Sequence, residues 1–420
     1  MTSVRRSIVP IITNQTAIAW IGLYCLAVAM GYGRFLFTAT LPDIMTELTL
    51  STTVAGWLAS VNYSGYFIGA MIAMFVPQRL TYQALMVGII LSIVTTIALV
   101  VPSMPLGLWY VIRLLAGIAS GIGMILGSSF IIQHFSSARR SLLSTVHYAG
   151  IGTGISASAI LTWWLLTLGY HFEVIWLVAG ISSLPLIVLL YAIRPTKSDA
   201  TQSNAKVKYP SIKQTYINFK RSIYEAIVGH TKAIALLAVS YLLAGFGYIT
   251  SATFLPVMAT GQLTDQNYAG LLIWLIVGIF AMLSNPVWGA LAKRIGDTPT
   301  LIGLTILQAI GMFAPWLFDS ALGLYANAVI LGLTFVGIVS MTLNIIKNIN
   351  PAYSNLLMGL ATLAYAVGQF IGPLITVALA GNNDNFNAGL IVAGMGLLIS
   401  LFLLLLFRRQ PQSLTKPYSD

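Results

Sequence analysis

The sequence predicts an all-α integral membrane protein, with twelve transmembrane helices in two parallel-repeat six-helix bundles. Three observations predict it: an apolar composition, twelve apolar runs of spanning length, and basic residues confined almost entirely to alternate loops. Of 420 residues, 58% are hydrophobic and only 7% are charged, against about 25% charged in a soluble domain. So few charges cannot cover a soluble surface of this size, which makes lipid the expected solvent.

The apolar runs cover roughly 17–42, 52–76, 82–101, 106–132, 141–166 and 172–193, then 233–259, 267–292, 299–318, 320–346, 354–380 and 386–407. Each approaches the ~20 residues that cross a hydrocarbon layer of about 30 Å. Their continuity, without ten-residue alternation, argues against a barrel.

Of the 21 lysines and arginines, only Arg34 and Arg113 fall inside runs. The others lie at the termini or in every second loop: Arg79, Arg139–Arg140, the interval 194–232, Lys293–Arg294 and Lys347. The intervening loops, near 43–51, 102–105, 167–171, 260–266, 319 and 381–385, contain none. The positive-inside rule then predicts a multi-pass protein of a bacterial inner (plasma) membrane with both termini in the cytoplasm. The net charge of +11 is an orientation signal on this reading, and no nucleic-acid partner is expected. Arg5 and Arg6 precede the first run, which is long enough to stay as a signal anchor. Cys25 is the one cysteine, so no intramolecular disulfide is possible.

Three segments follow: a first six-helix half (1–194), a cytoplasmic linker (195–231) and a second six-helix half (232–420). The linker opens with the polar stretch Pro195-Thr-Lys-Ser-Asp-Ala-Thr-Gln-Ser-Asn-Ala, which reads as flexible. Ile212, Tyr216, Phe219, Ile223 and Ile227 then recur at helical spacing between Lys213, Lys220 and Arg221. That pattern predicts an amphipathic helix on the anionic inner leaflet. A plain connecting role is favoured over a regulatory one.

Sliding the chain by 214 residues aligns residues 31–79 with the second half without a gap. Gly31-Tyr32-Gly33 falls on Gly245-Phe246-Gly247, Leu41-Pro42 on Leu255-Pro256, Ala55-Gly56 on Ala269-Gly270, and Arg79 on Lys293. Identities are few, but glycines that permit close helix approach and the proline match in place. Parallel halves related about the membrane normal are a transporter architecture.

These residues resemble the major facilitator superfamily across the whole chain. Gly289-Ala-Leu-Ala-Lys-Arg-Ile-Gly-Asp297 is similar to that superfamily's loop signature, with Lys293 where an aspartate is usual. The matching first-half loop, Val76-Pro-Gln-Arg-Leu-Thr-Tyr82, has lost most of the pattern. Arg113-Leu-Leu-Ala-Gly117 resembles its Arg-x-x-x-Gly motif. Gly31-Tyr-Gly-Arg-Phe35 and Gly56-Trp-Leu-Ala-Ser-Val-Asn-Tyr-Ser-Gly-Tyr-Phe-Ile-Gly69 resemble the uncharacterised YbfB/YjiJ-type branch. The resemblance implies that runs one and four line a central cavity. It associates Gly-x-x-x-Gly-Pro in run five with antiport, but here Gly154 is followed by Ile155-Ser156, and only run eleven keeps Gly372-Pro373.

A buried arginine costs roughly 2.5–3.5 kcal/mol on insertion scales unless it meets water or a partner. Arg34 lies eight residues before Pro42, so about 12 Å from the expected end of its run. That is deeper than snorkelling comfortably reaches, which favours a functional role. Arg113, roughly 10 Å deep, divides evenly between substrate contact and helix-to-helix bonding. No acidic residue falls deep in a run: Asp43, Glu47, Asp265, Asp319 and Asp384 fall in loops, and Glu173 starts run six. Unpaired guanidinium groups bind carboxylate or phosphate, although chloride or a lipid headgroup would also satisfy them.

Asn62, Tyr66, Tyr148, Tyr248, Tyr365 and Gln369 are candidates to complete a pocket, although such groups more often serve as helix glue. His147 is a candidate carrier of a coupling proton or a packing donor. Trp109, Trp163, Trp164 and Trp316 are expected at the interfaces. Gly31, Gly33, Gly150, Gly154, Gly368, Gly372 and Pro373, with Gly289, Arg294 and Gly296 of the loop, are candidates for conformational or gating roles.

The expected function is secondary active transport of a small organic solute, an organic anion by preference, by alternating access and as a monomer. No cofactor, metal or enzymatic activity is expected, and no phosphate-binding loop occurs in the chain. Efflux of amphipathic drugs or metabolites is the alternative, and a non-transporting receptor the remote one.

Overall fold

In a computed structural model, residues 12–195, 212–264, 266, 268–318, 320–381 and 385–410 are described. Twelve apolar helices of spanning length run through them. We number these spans one to twelve: Gln15–Glu47, Thr52–Phe75, Gln78–Ala98, Leu106–Ile132, Arg140–Thr167 and Phe172–Ala192, then Thr231–Gln262, Ala269–Ile295, Asp297–Leu317, Ala321–Ile349, Pro351–Ala380 and Asn387–Arg408. There is no strand among the described residues. Arg5, Arg6, the polar stretch after Pro195, Asp265, Asp319 and Asp384 lie outside them.

Local chemistry marks the ends of several spans. Asn14 accepts from Thr16 N at 2.9 Å before span one, and Ser51 from Val54 N at 3.3 Å before span two. Gly296, at φ +92°, is the single residue between spans eight and nine, a conformation that glycine adopts without strain.

Span one is longer than its proline suggests. The sequence ended it at Pro42 and placed Asp43 and Glu47 in a loop, but the helix continues to Glu47. Proline removes one helical hydrogen bond, yet the turn holds, and Thr46 Oγ1 donates to the Pro42 carbonyl at 3.0 Å. Span seven repeats the device 214 residues on, where Thr260 Oγ1 donates to Pro256 O at 2.9 Å. Arg34 therefore lies near mid-span, about 20 Å from the Glu47 end.

Asp43 does not turn inward. Its carboxylate accepts from Phe172 N at 2.7 Å and lies 3.0 Å from His171 Nδ1, so it caps span six. The expectation for Trp109 also fails, because it is buried against Phe172 with ring centroids 6.0 Å apart. Trp163, Trp164 and Trp316 are each about half exposed, as interfacial residues would be.

The two halves pack alike: span one lies on five as seven lies on eleven, and two on four as eight on ten. The halves then meet along two seams, five against eight and two against eleven. The segment Leu36–Glu47 of span one also packs on spans seven and eight, closing the halves at the end away from the basic loops. The linker does form a helix, Ile212–Ile227. Its last turn docks on the link between spans ten and eleven, where Tyr353 Oη donates to Glu225 at 2.5 Å and Asn350 Nδ2 to Ala226 O at 3.3 Å.

Candidate functional site

The middle of span one is wound as a π-helix from Ala27 to Phe35. Such segments widen the turn and are frequent at functional sites. Span four reaches into it, where Ser120 Oγ donates to the Ala29 carbonyl at 2.7 Å. A Cβ on Gly33 would lie 2.7 Å from Ser92 Oγ, and one on Gly31 only 2.4 Å from Gly154 Cα. The expected Gly31-Tyr-Gly-Arg pattern thus lets spans three, four and five crowd one face while Arg34 leaves from the segment toward the other half.

Arg34 is 2% exposed and sits in an aromatic cage. Its Cζ lies 4.7 Å from the ring centroids of both Tyr63 and Tyr66, and 5.2 Å from that of Phe35. Its Nη2 donates to Tyr248 Oη at 3.2 Å, across the interface between the halves. Gln369 Nε2 reaches the same hydroxyl at 3.3 Å. Tyr248 in turn stacks on Phe335 at 5.3 Å and on Tyr365 at 5.7 Å, and Tyr365 on Tyr241 at 4.3 Å. Cation–π contacts contribute about 2 kcal/mol or more each where water is excluded, and so offset part of the cost of burying the guanidinium without a carboxylate. No salt bridge reaches Arg34 among the described residues.

Arg34 and Tyr248 are separated by 214 residues, the period of the internal repeat. Two equivalent positions, one per half, therefore meet at the interface. The sequence selected both residues, but it named neither the contact nor the partners Tyr63, Phe35 and Phe335. The repeat offset was the available signal for the contact. For Tyr63 it was the i, i+3 spacing to Tyr66.

The other candidates are dispersed. Arg113 is 1% exposed, but its side chain stays within the first half. Its Cζ lies 4.1 Å from the Phe37 ring, and Nε donates to Leu58 O at 3.4 Å. Asn62 donates to the Arg113 carbonyl at 3.0 Å, joining spans two and four. In the second half Ser251 Oγ of span seven donates to Asn327 Oδ1 of span ten at 2.5 Å. His147 is buried, with Nε2 2.9 Å from Ser128 Oγ, and Tyr148 is half-buried beside it, ring centroids 5.0 Å apart.

The glycines expected to serve motion divide as well. Gly150 and Gly154 abut Leu23, Ala27 and Gly31 of span one, while Gly368 and Gly372 abut span seven; all four close contacts lie within a half. Pro373 lies inside span eleven, and its carbonyl faces Gly56 of span two. Gly289 and Arg294 lie in span eight, and a Cβ on Gly289 would meet nothing within 4 Å. The close approach between halves uses Gly152 and Gly278, which the sequence did not single out: a Cβ on Gly152 would lie 2.5 Å from Met282 N.

Between the cage and span eight the halves close on a narrow crevice lined by Phe35, Tyr248, Trp274, Val277, Leu331 and Phe335. It is too tight to hold a ligand as it stands.

Twelve spans in two like halves define a membrane transport protein of the major facilitator type. The chain belongs to the family described as "Uncharacterised MFS-type transporter YbfB", which it matches over residues 26–405. Members of this family are transporters, not enzymes. The chain is 24% identical over 376 residues to the "Uncharacterized MFS-type transporter YceJ" of Bacillus subtilis (strain 168), covering 86% of this chain and 88% of that protein. Among solved structures, a crystal structure of a point mutant of the peptide transporter POT in complex with sulfate matches 94% of this chain and 96% of its own, with TM-score 0.71 and 15% identity. At that identity the likeness concerns the fold.

Proposed function

We infer that this protein is a secondary active transporter of a small organic anion, working by alternating access in a bacterial inner membrane with its basic loops in the cytoplasm. The carrying observation is Arg34: a cation buried where the two halves meet, held by aromatic faces and a hydroxyl, with no carboxylate bound to it among the described residues. A substrate anion would take the place of Tyr248 as its partner. Because the Arg34–Tyr248 bond joins the halves, binding would exchange an interface contact for a substrate contact, the coupling that a rocking transporter needs. Spans one, seven and eight close the far end here, so the site would open toward the basic loops.

His147, bonded to Ser128 in the first half, is the candidate for a coupling proton. The protein is expected to act as a monomer.

The test is thermal stability of the purified chain with small carboxylates, phosphates, sugars and lipophilic cations. A ligand at a hundred times its Kd stabilises by about 2.7 kcal/mol. Anion stabilisation that disappears in Arg34→Gln supports the reading. Stabilisation only by lipophilic cations or neutral amphiphiles, unchanged in Arg34→Gln, would replace it with efflux of amphipathic compounds.

A further inference from the structure

We propose that the substrate is a monocarboxylate with a flat, apolar body, an aryl or arylalkyl acid with a polar ring substituent, and not a phosphate or dicarboxylate. The proposal rests on the anion reading above and narrows it.

Charge is the first argument. Only Arg34 and Arg113 of the chain's basic residues lie deep inside spans. The Arg113 guanidinium faces Phe37 and Leu58 O within its own half, with Nη1 unpaired, and reaches no residue of the second half among the described residues. At the position equivalent to Arg34 the second half presents a neutral tyrosine, Tyr248. Arg34 is thus the one of the two that contacts the second half, and a single cation at that interface balances a single negative charge, whereas a dianion would carry a second charge into a low-dielectric site.

Shape is the second. Phe335, Tyr248 and Tyr365 form a nearly parallel stack, with interplanar angles of 9° and 6°. Phe35 of the first half meets Trp274 of the second edge-on at 5.9 Å across the crevice. When the halves part, Phe35 leaves Trp274 and uncovers aromatic surface on both sides, where a flat ring can replace the lost contact, and aromatic pairs are favourable beyond simple burial.

Unpaired polar atoms are the third. Arg34 Nε and one amide atom of Gln369, Oε1, are buried without partners. Buried polar groups are rarely left so. With Tyr248 displaced, Nε and a terminal nitrogen of Arg34 can take a carboxylate side-on through two parallel bonds. Gln369, in hydrogen-bond reach of the same hydroxyl, is placed for a substituent on the ligand body.

The experiment is a set of Kd values for the purified full chain in lipid nanodiscs. Probes are 4-hydroxybenzoate, 3-(4-hydroxyphenyl)propionate, acetate, phthalate, succinate, inorganic phosphate and the neutral 4-hydroxybenzamide. The expected result is that the aryl monocarboxylates bind at least tenfold tighter than every other probe. Arg34→Gln should remove at least tenfold of that affinity. Phe335→Ala should weaken the aryl acids severalfold and leave acetate unchanged. If phthalate, succinate or phosphate binds as tightly as the aryl monocarboxylates and loses affinity in Arg34→Gln, the anion reading stands and this proposal is overturned. If the benzamide matches the benzoate, or no anion binds, both are overturned. The wild-type ranking decides between these outcomes even if a variant does not fold.

Discussion

Two arginines are buried inside spans of this protein, and what surrounds each one differs. Arg113 is held locally: an aromatic face, a carbonyl of span two and an amide that fastens its backbone all come from the first half. Arg34 takes two of its aromatic faces from span two, but its one hydrogen bond comes from the other half. Burial alone therefore does not separate structure from function. The difference is that the surroundings of Arg34 change whenever the halves move apart, and those of Arg113 do not.

The sharpest way to break this comparison is to exchange the charges. Arg34→Gln is expected to lower anion affinity at least tenfold, read by titration. Arg113→Gln should change affinity less than threefold while lowering stability by roughly 1.5–3 kcal/mol, the range for a lost hydrogen bond to a charged group. Equal losses of affinity would place both arginines in one site.

A steric change tests the seam instead of the charge. Gly152→Leu sets a side chain against Met282 N, where even a Cβ would lie at 2.5 Å. Transport in proteoliposomes should fall about tenfold, while Gly289→Leu, in open space, should transport normally.

Tyr248→Phe keeps the ring stack and removes the hydroxyl that both Arg34 and Gln369 reach. If a substrate displaces that hydroxyl, the variant should bind the anion equally well or a fewfold more tightly, because no interface bond has to break first. A tenfold weakening would show that the hydroxyl contacts the substrate directly.

The smallest effect is expected at the far end. The hydrogen bond to Asp43, together with the charges of Asp43, Glu47 and Glu173, holds the His171 imidazole above its ordinary value. A raised folded value means a stabilising contribution that is full below the ordinary pKa, about 6.5, and is lost as pH rises through the raised one. His171→Gln should flatten that part of the stability profile and leave anion affinity unchanged, since His171 is exposed and distant from the cage.

Several features were legible without coordinates because lipid admits few alternatives. Every backbone polar group must be paired inside the membrane, so twelve long apolar runs had to be helices. The boundaries were less legible. Pro42 looked like a terminus because proline breaks helices in water; here the turn holds through Thr46, and the cost of exposing backbone to lipid favours continuing. Trp109 looked interfacial from its place near a span end, but the start of span six covers it. The Gly31-Tyr-Gly-Arg pattern was visible as unusual, but no local propensity encodes the π-segment or the bond by which span four's Ser120 reaches its Ala29 carbonyl.

The residue types of the cage could be chosen from the chain because a lone cation among apolar residues is costly and therefore informative. The twelve spans and the repeat were determined the same way, by solvent and by symmetry. Which arginine faces the other half was not. Arg34 and Arg113 carry the same charge and are equally buried, and which one meets the other half depends on the rotation of each helix about its own axis. Rotation is set by packing: Gly31 against Gly154 turns Arg34 toward Tyr248, while the close approach of Gly65 and Gly117 holds Arg113 beside Leu58 and Phe37. Those contacts join residues far apart in the chain, so only the assembled bundle could decide between the two.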